Sequence, residues 1–161
     1  MEAALVDAVD ECVTANPEVT VRILLDYSRA LRGRPNSVTI ATHLVAKHRR
    51  PGQVEVLLYQ MPQMRRPPLR WLAGMMPSPL NEVLAVSHLK AFTFDDNSLV
   101  SGANLSEAYF VNRQDRYLEV MSCPQLSCFY HGLVDALAPT CWKVGQHGGL
   151  ERYESNKVKN R

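Results

Sequence analysis

The sequence predicts an α/β domain, a mixed β-sheet flanked by helices. Apolar, β-branched runs of strand length alternate with stretches whose apolar residues recur at helical spacing. Proline, glycine, asparagine and aspartate punctuate the boundaries between them. At 161 residues, 46% apolar and 21% charged, the chain has the length and composition of one domain with a sizeable core.

The elements follow in order. Leu5, Val9, Cys12 and Val13 are spaced as on one helical face, and Asn16-Pro17 ends that pattern. Residues 19–25 form a β-branched, apolar strand closed by Asp26. The next stretch, 28–36, is a loop rich in arginine (Arg29, Arg32, Arg34) with Gly33 and Pro35. Ser37 is placed to cap a helix running to about His48, with Val38, Ala41, Leu44 and Val45 inward. Pro51-Gly52 breaks the chain before a second apolar strand over 54–59. From 61 to 79 the pattern turns irregular, with five prolines. Strands over 87–94 and 98–103 flank Asp95-Asp96-Asn97, which is good turn chemistry. Another strand is expected over 116–121. A helix over 125–137 would carry Leu126, Phe129, Leu133 and Leu137 along one side. Beyond Cys141 periodicity fades, so residues 1–140 are expected to form the domain and 141–161 a poorly ordered basic tail.

Bulk properties narrow the function. A formal net charge of +2 is too small to argue for nucleic acid, and no nucleic-acid partner is expected. Cys12, Cys123, Cys128 and Cys141 are scattered without a C-x-x-C pair, so neither a disulfide framework nor a zinc site is expected. No apolar run approaches the ~20 residues of a membrane-spanning helix. The first eleven residues carry Glu2, Asp7, Asp10 and Glu11 and no basic residue, unlike a mitochondrial presequence.

Chemistry concentrates in His88-Leu89-Lys90 and the residues after it. On a strand, alternate side chains share a face, so His88 and Lys90 would project towards one ligand. Asp95, an odd number of positions away, would face the other side and anchor the turn. Folding the hairpin about Asp96 brings Asn104 opposite His88 to within about one register position. An imidazole, an ammonium and an amide then converge. A neutral imidazole can attack phosphorus and hold the group as phosphohistidine, splitting one hard displacement into two easier ones. Lys90 and the Asn104 amide would neutralise the non-bridging oxygens. Neither a metal nor another cofactor is required. H-x-K alone arises by chance in roughly one such chain in six; requiring the aspartate and asparagine at fixed places cuts that several hundredfold, roughly.

The spacing His88-x-Lys90-x4-Asp95 resembles that of the phospholipase D superfamily. Around it, Leu99-Val-Ser-Gly-Ala-Asn-Leu-Ser106, Tyr109-Phe110 and Asn112-Arg-Gln-Asp-Arg-Tyr117 are similar to the mitochondrial phosphatidylglycerophosphate synthase family, as are Ile23-Leu-Leu-Asp26, Arg32-Gly-Arg and Asn36-Ser37 upstream. Ser101-Gly102 reverses the superfamily's usual Gly-Ser order, one position tighter, as in this synthase family. The resemblance implies a phospholipase D-like half-domain with its motif over about 86–112, and a mitochondrial location. It implies the reaction of CDP-diacylglycerol with glycerol 3-phosphate to give phosphatidylglycerophosphate and CMP, towards cardiolipin. His88 would be the nucleophile, Lys90 would hold its phosphate with Asp95 completing the motif, and Ser101 and Asn104 would bind substrate. Arg113 and Arg116 are candidates for the second substrate's phosphate.

One departure from the family matters. Its members carry two such motifs, whereas His43, His48, His131 and His147 have no lysine two residues on. A second motif-bearing half, in cis or from a homodimer, is therefore expected to be needed. Competing readings are a one-motif phosphodiesterase or nuclease active only as a homodimer, and an inactive fragment. Residues 65–76, with Arg65, Arg66 and Arg70 around Trp71, Leu72, Met75 and Met76, have two readings: a loop packing its apolar side onto the sheet, or the mixture expected at an anionic membrane interface.

Overall fold

The computed structural model describes residues 3–62, 66–68, 71, 75 and 87–153. Helix α1, Ala3–Ala15, ends where Asn16 N donates to Cys12 O, one residue before Pro17. Strand β1 spans Val21–Asp26 and leads directly into a short helix α2, Tyr27–Ala30. Helix α3, Ser37–Lys47, then crosses back to strand β2, Val54–Tyr59, which pairs parallel to β1. The cap of α3 is Asn36 rather than Ser37. Its Oδ1 accepts the Thr39 amide at 2.8 Å from extended backbone, so Ser37 becomes the first helical residue.

β2 shows the two-residue alternation of a strand covered on both faces. Val54, Val56 and Leu58 join Val13, Ala41, Leu44 and Val45 in a core beneath α1 and α3. Leu57 points the other way, against Ala138 and Cys141. Glu55 shares that second face and is anchored by the Arg22 Nε at 3.0 Å and Lys143 Nζ at 3.2 Å. Arg22 also reaches Asp135 at 2.6 Å. Burial pulls the Arg22 guanidinium down, but its hydrogen bond to Asp135 and the charge of Glu55 outweigh this and leave its pKa raised. On the outer side, Asp10 clasps α1 to the end of α3. Its carboxylate is held below the ordinary aspartate value by Lys47 first and His48 second.

A second, three-stranded sheet carries the hairpin. Strands β3, Ala91–Phe94, and β4, Asn97–Ser101, pair antiparallel around the two-residue turn Asp95-Asp96. Strand β5, Tyr117–Val120, adds to β4 after helix α4, Glu107–Val111. Helix α5, Pro124–Leu137, packs on β3 and β4. Its buried residue here is Ser127, whose Oγ lies 3.3 Å from that of Ser98, while Phe129 is 62% exposed. A small residue lets the helix approach the strand at this contact.

The largest departure lies at the end of the described chain. A 3-10 turn over Ala138–Thr140 leads into strand β6, Cys141–Val144, and then β7, Leu150–Arg152. The main sheet runs β1-β2-β6-β7, with β6 antiparallel to β2. The expectation that order ends at 140 therefore fails for residues 141–153. The segment is short and glycine-rich, so its periodicity is weak, but Cys141 and Val144 are 2% and 0% exposed.

Candidate active site

Between the two sheets, the ends of β1 and α2 face the entry to β3 and the exit from β4. They enclose a cleft of about 530 Å3. Leu24, Leu25, Asp26, Arg29, Arg32 and Ser37 line one side; Ser87, Lys90, Phe92, Asn104 and Ser106 line the other. Among the described lining residues are three cations, Arg29, Arg32 and Lys90, and one carboxylate, Asp26.

Asp26 is the residue that joins the two sides. Its Oδ1 accepts the Arg29 amide at 3.0 Å, capping α2, and its Oδ2 accepts the Ser87 amide at 3.1 Å. That second bond explains a correction. Residues 87–90 precede β3 without being a strand, because the Ser87 amide is taken by a carboxylate instead of a ladder partner. Pairing still extends one step past β3, where Ser101 N donates to Lys90 O at 3.2 Å. No spacing rule marks Asp26 as a bridge, because its partner lies 61 residues away. Replacement by alanine should destabilise the protein by roughly 1–3 kcal/mol, one cap plus one charged hydrogen bond. Chemical denaturation measures this, and amide exchange at Ser87 should accelerate in the variant.

The structure brings Lys90 and Asn104 to one cleft. Lys90 is half-buried and its Nζ donates to the His88 carbonyl at 3.1 Å. His88 itself is exposed and is not among the lining residues. The β3–β4 pairing runs as far as Lys90 and Ser101, and His88 lies two residues before the end of that pairing. Asp95 lies at the far end of the hairpin with φ 52°, a left-handed conformation that aspartate tolerates in a tight turn. Ser101 ends β4, and its Oγ accepts the Ala103 amide at 3.0 Å. A Cβ at Gly102 would lie 3.0 Å from both carboxylate oxygens of Asp115, so the exposed Asp115 side chain would have to give way. Arg113 sits over the Tyr109 ring at 5.2 Å, and both Arg113 and Arg116 are exposed and outside the cleft lining.

Among the described residues no cluster of His, Cys, Asp or Glu could hold a metal ion. No described helix is long and apolar enough to cross a membrane.

Fold and cleft together define a mixed α/β protein with a cationic cleft between a parallel strand pair and a hairpin. No protein-family model matches the chain. It is 36% identical over 172 aligned positions to the mitochondrial CDP-diacylglycerol–glycerol-3-phosphate 3-phosphatidyltransferase of Gallus gallus, covering 99% of this chain and 30% of that protein. Against the same enzyme of Bos taurus the identity is 38%, over 85% of this chain and 25% of the relative. Against that of Saccharomyces cerevisiae it is 40%, over 72% and 22%. The chain is thus a relative of these phosphatidyltransferases over most of its own length, and it spans less than a third of theirs.

Proposed function

We propose that this chain is the phosphatidyl-accepting part of a CDP-diacylglycerol–glycerol-3-phosphate 3-phosphatidyltransferase acting in mitochondria. The observation that carries the reading is that Lys90, two residues from His88, and Asn104 line one cationic cleft. The names of the sequence relatives supply the substrates. His88 attacks the phosphatidyl phosphorus, forming a P–N bond while the phosphoanhydride bond to CMP breaks. The leaving CMP oxygen takes a proton from an acid on the opposite side of phosphorus. The same group then removes the proton from a glycerol 3-phosphate hydroxyl, which attacks phosphorus, breaks the P–N bond and regenerates the imidazole. Lys90 and Asn104 neutralise the non-bridging oxygens in both steps.

The opposite group comes from a second His/Lys motif, in cis or from another copy of the chain. Contact with the lipid surface falls to residues 65–76. Most of these, including Arg65, Arg70, Leu72 and Met76, lie outside the described residues, but Trp71 and Met75 are 73% and 65% exposed. The test is phosphatidylglycerophosphate formation by an assembly that joins this chain to a second motif, supplied with both substrates. His88→Ala is expected to lower transfer at least about a thousandfold, as loss of a nucleophile does elsewhere. Transfer that survives this substitution would refute the proposal.

A further inference from the structure

We propose that Arg29 and Arg32 form the site for the phosphomonoester of the acceptor, a role the sequence pattern offered to Arg113 and Arg116. The inference rests on the phosphatidyltransferase reading and deepens it. A transfer site of this kind holds two anionic groups at once after the first step, the phosphodiester carried on histidine and the dianionic phosphate of the acceptor. The cleft has two cationic walls to match. On the hairpin wall, Lys90, two residues from His88, and Asn104 serve the transferred group. The facing wall supplies Arg29 from α2 and Arg32 from the turn that follows it.

Chemistry favours arginine for this role. A guanidinium presents a planar fork that matches two oxygens of a phosphate monoester, while an ammonium acts as a point charge. The wall is also held in place. The Asp26 cap fixes the start of α2, and the Arg32 amide donates to Arg29 O at 3.2 Å. Gly33, at φ +87°, turns the chain away immediately afterwards. Asp26 ties this wall to the hairpin, its Oδ1 accepting the Arg29 amide and its Oδ2 the Ser87 amide across the cleft. By contrast, Arg113 stacks on Tyr109, and neither it nor Arg116 lines the cleft.

The test is calorimetric titration of the full chain with glycerol 3-phosphate, CMP and glycerol. Arg32 is exposed, so Arg32→Gln leaves the core untouched; unfolding curves verify this, and Arg29→Gln is the companion variant. Arg32→Gln is expected to weaken glycerol 3-phosphate at least tenfold, the loss typical of a charged hydrogen-bond pair, and CMP less than threefold. Arg32→Lys should recover part of the loss, whereas Arg113→Gln and Arg116→Gln should change glycerol 3-phosphate binding less than twofold. Equal weakening of CMP and glycerol 3-phosphate would overturn the assignment, as would a dominant effect of Arg113 or Arg116. Absence of glycerol 3-phosphate binding to the unsubstituted chain would overturn it too. The parent reading is judged separately, by His88-dependent transfer: transfer that persists with an indifferent Arg32 removes this inference alone, and an Arg32-dependent phosphate site without transfer removes the parent.

Discussion

Removal of residues 141–161 should abolish cooperative folding. Strand β6 is interior to the main sheet, with Leu57, Leu58 and Tyr59 of β2 facing Lys143, Trp142 and Cys141. Its loss opens the edge of the most buried strand in the protein. It also deletes Val144 and Cys141, which are 0% and 2% exposed, and the partly buried Trp142 and Leu150 that pack on the core above. At roughly 1.5–3 kcal/mol for each large apolar side chain, these together approach the ~5–15 kcal/mol that separates folded from unfolded domains. Two polar ties vanish as well: Trp142 Nε1 donates to Gln60 Oε1 at 3.1 Å, and Lys143 pairs with Glu55. Glu55 would stay beneath the sheet with one partner fewer, which compounds the loss. Circular dichroism melting of the intact and shortened chains measures the effect. A shortened chain that melts cooperatively within a few degrees of the intact one would show that β6 is dispensable.

The second large effect concerns turnover. As a monomer the chain is expected not to convert CDP-diacylglycerol and glycerol 3-phosphate at a useful rate. The proposed two-step route needs a group opposite His88 that protonates the leaving CMP and later deprotonates the acceptor. None of His43, His131 and His147 lines the cleft, and none has a lysine two residues on. Loss of general acid–base help typically costs about 10²–10⁴-fold, and the missing partner lysine removes further charge stabilisation. The first step alone can still proceed slowly, leaving a phosphatidyl group on His88. Purified monomer and any dimer fraction, each with a His88→Ala control, separate the possibilities. Robust His88-dependent product from a chain shown by sedimentation to be monomeric would end this expectation.

Much of the architecture was legible because local pattern and burial agree. β2 spans the expected residues 54–59, since a short, largely apolar run between turn signals has few alternatives. α3 buries Val38, Ala41, Leu44 and Val45, the four residues its helical spacing selected. Asp95-Asp96 makes the expected turn, and the ladder from Ala91–Val100 to Phe94–Asn97 follows from it. A two-residue turn sets the register of the strands beyond it, which carries the pairing on to Lys90 and Ser101.

Other features were decided only in three dimensions. α5 turns Ser127 inward and leaves Phe129 out, because closeness to Ser98 outweighs side-chain hydrophobicity at that contact. The Asp26 link between α2 and Ser87, which shortens β3 to Ala91–Phe94, depends on two segments 61 residues apart. The same holds for the second wall of the cleft, where Arg29 of α2 and Arg32 just after it line the same cleft as the lysine of the hairpin. Above all, β6 and β7 have little intrinsic signal, yet β2 offers them an unpaired edge and a waiting apolar core. By itself the sequence determined the strands, helices and turns whose signals are local, and the residue types of the His/Lys hairpin. Tertiary structure decided which short segments complete the sheet and which charges share the cleft, because pairing partners and electrostatic neighbours are set by the packed chain and not by adjacency along it.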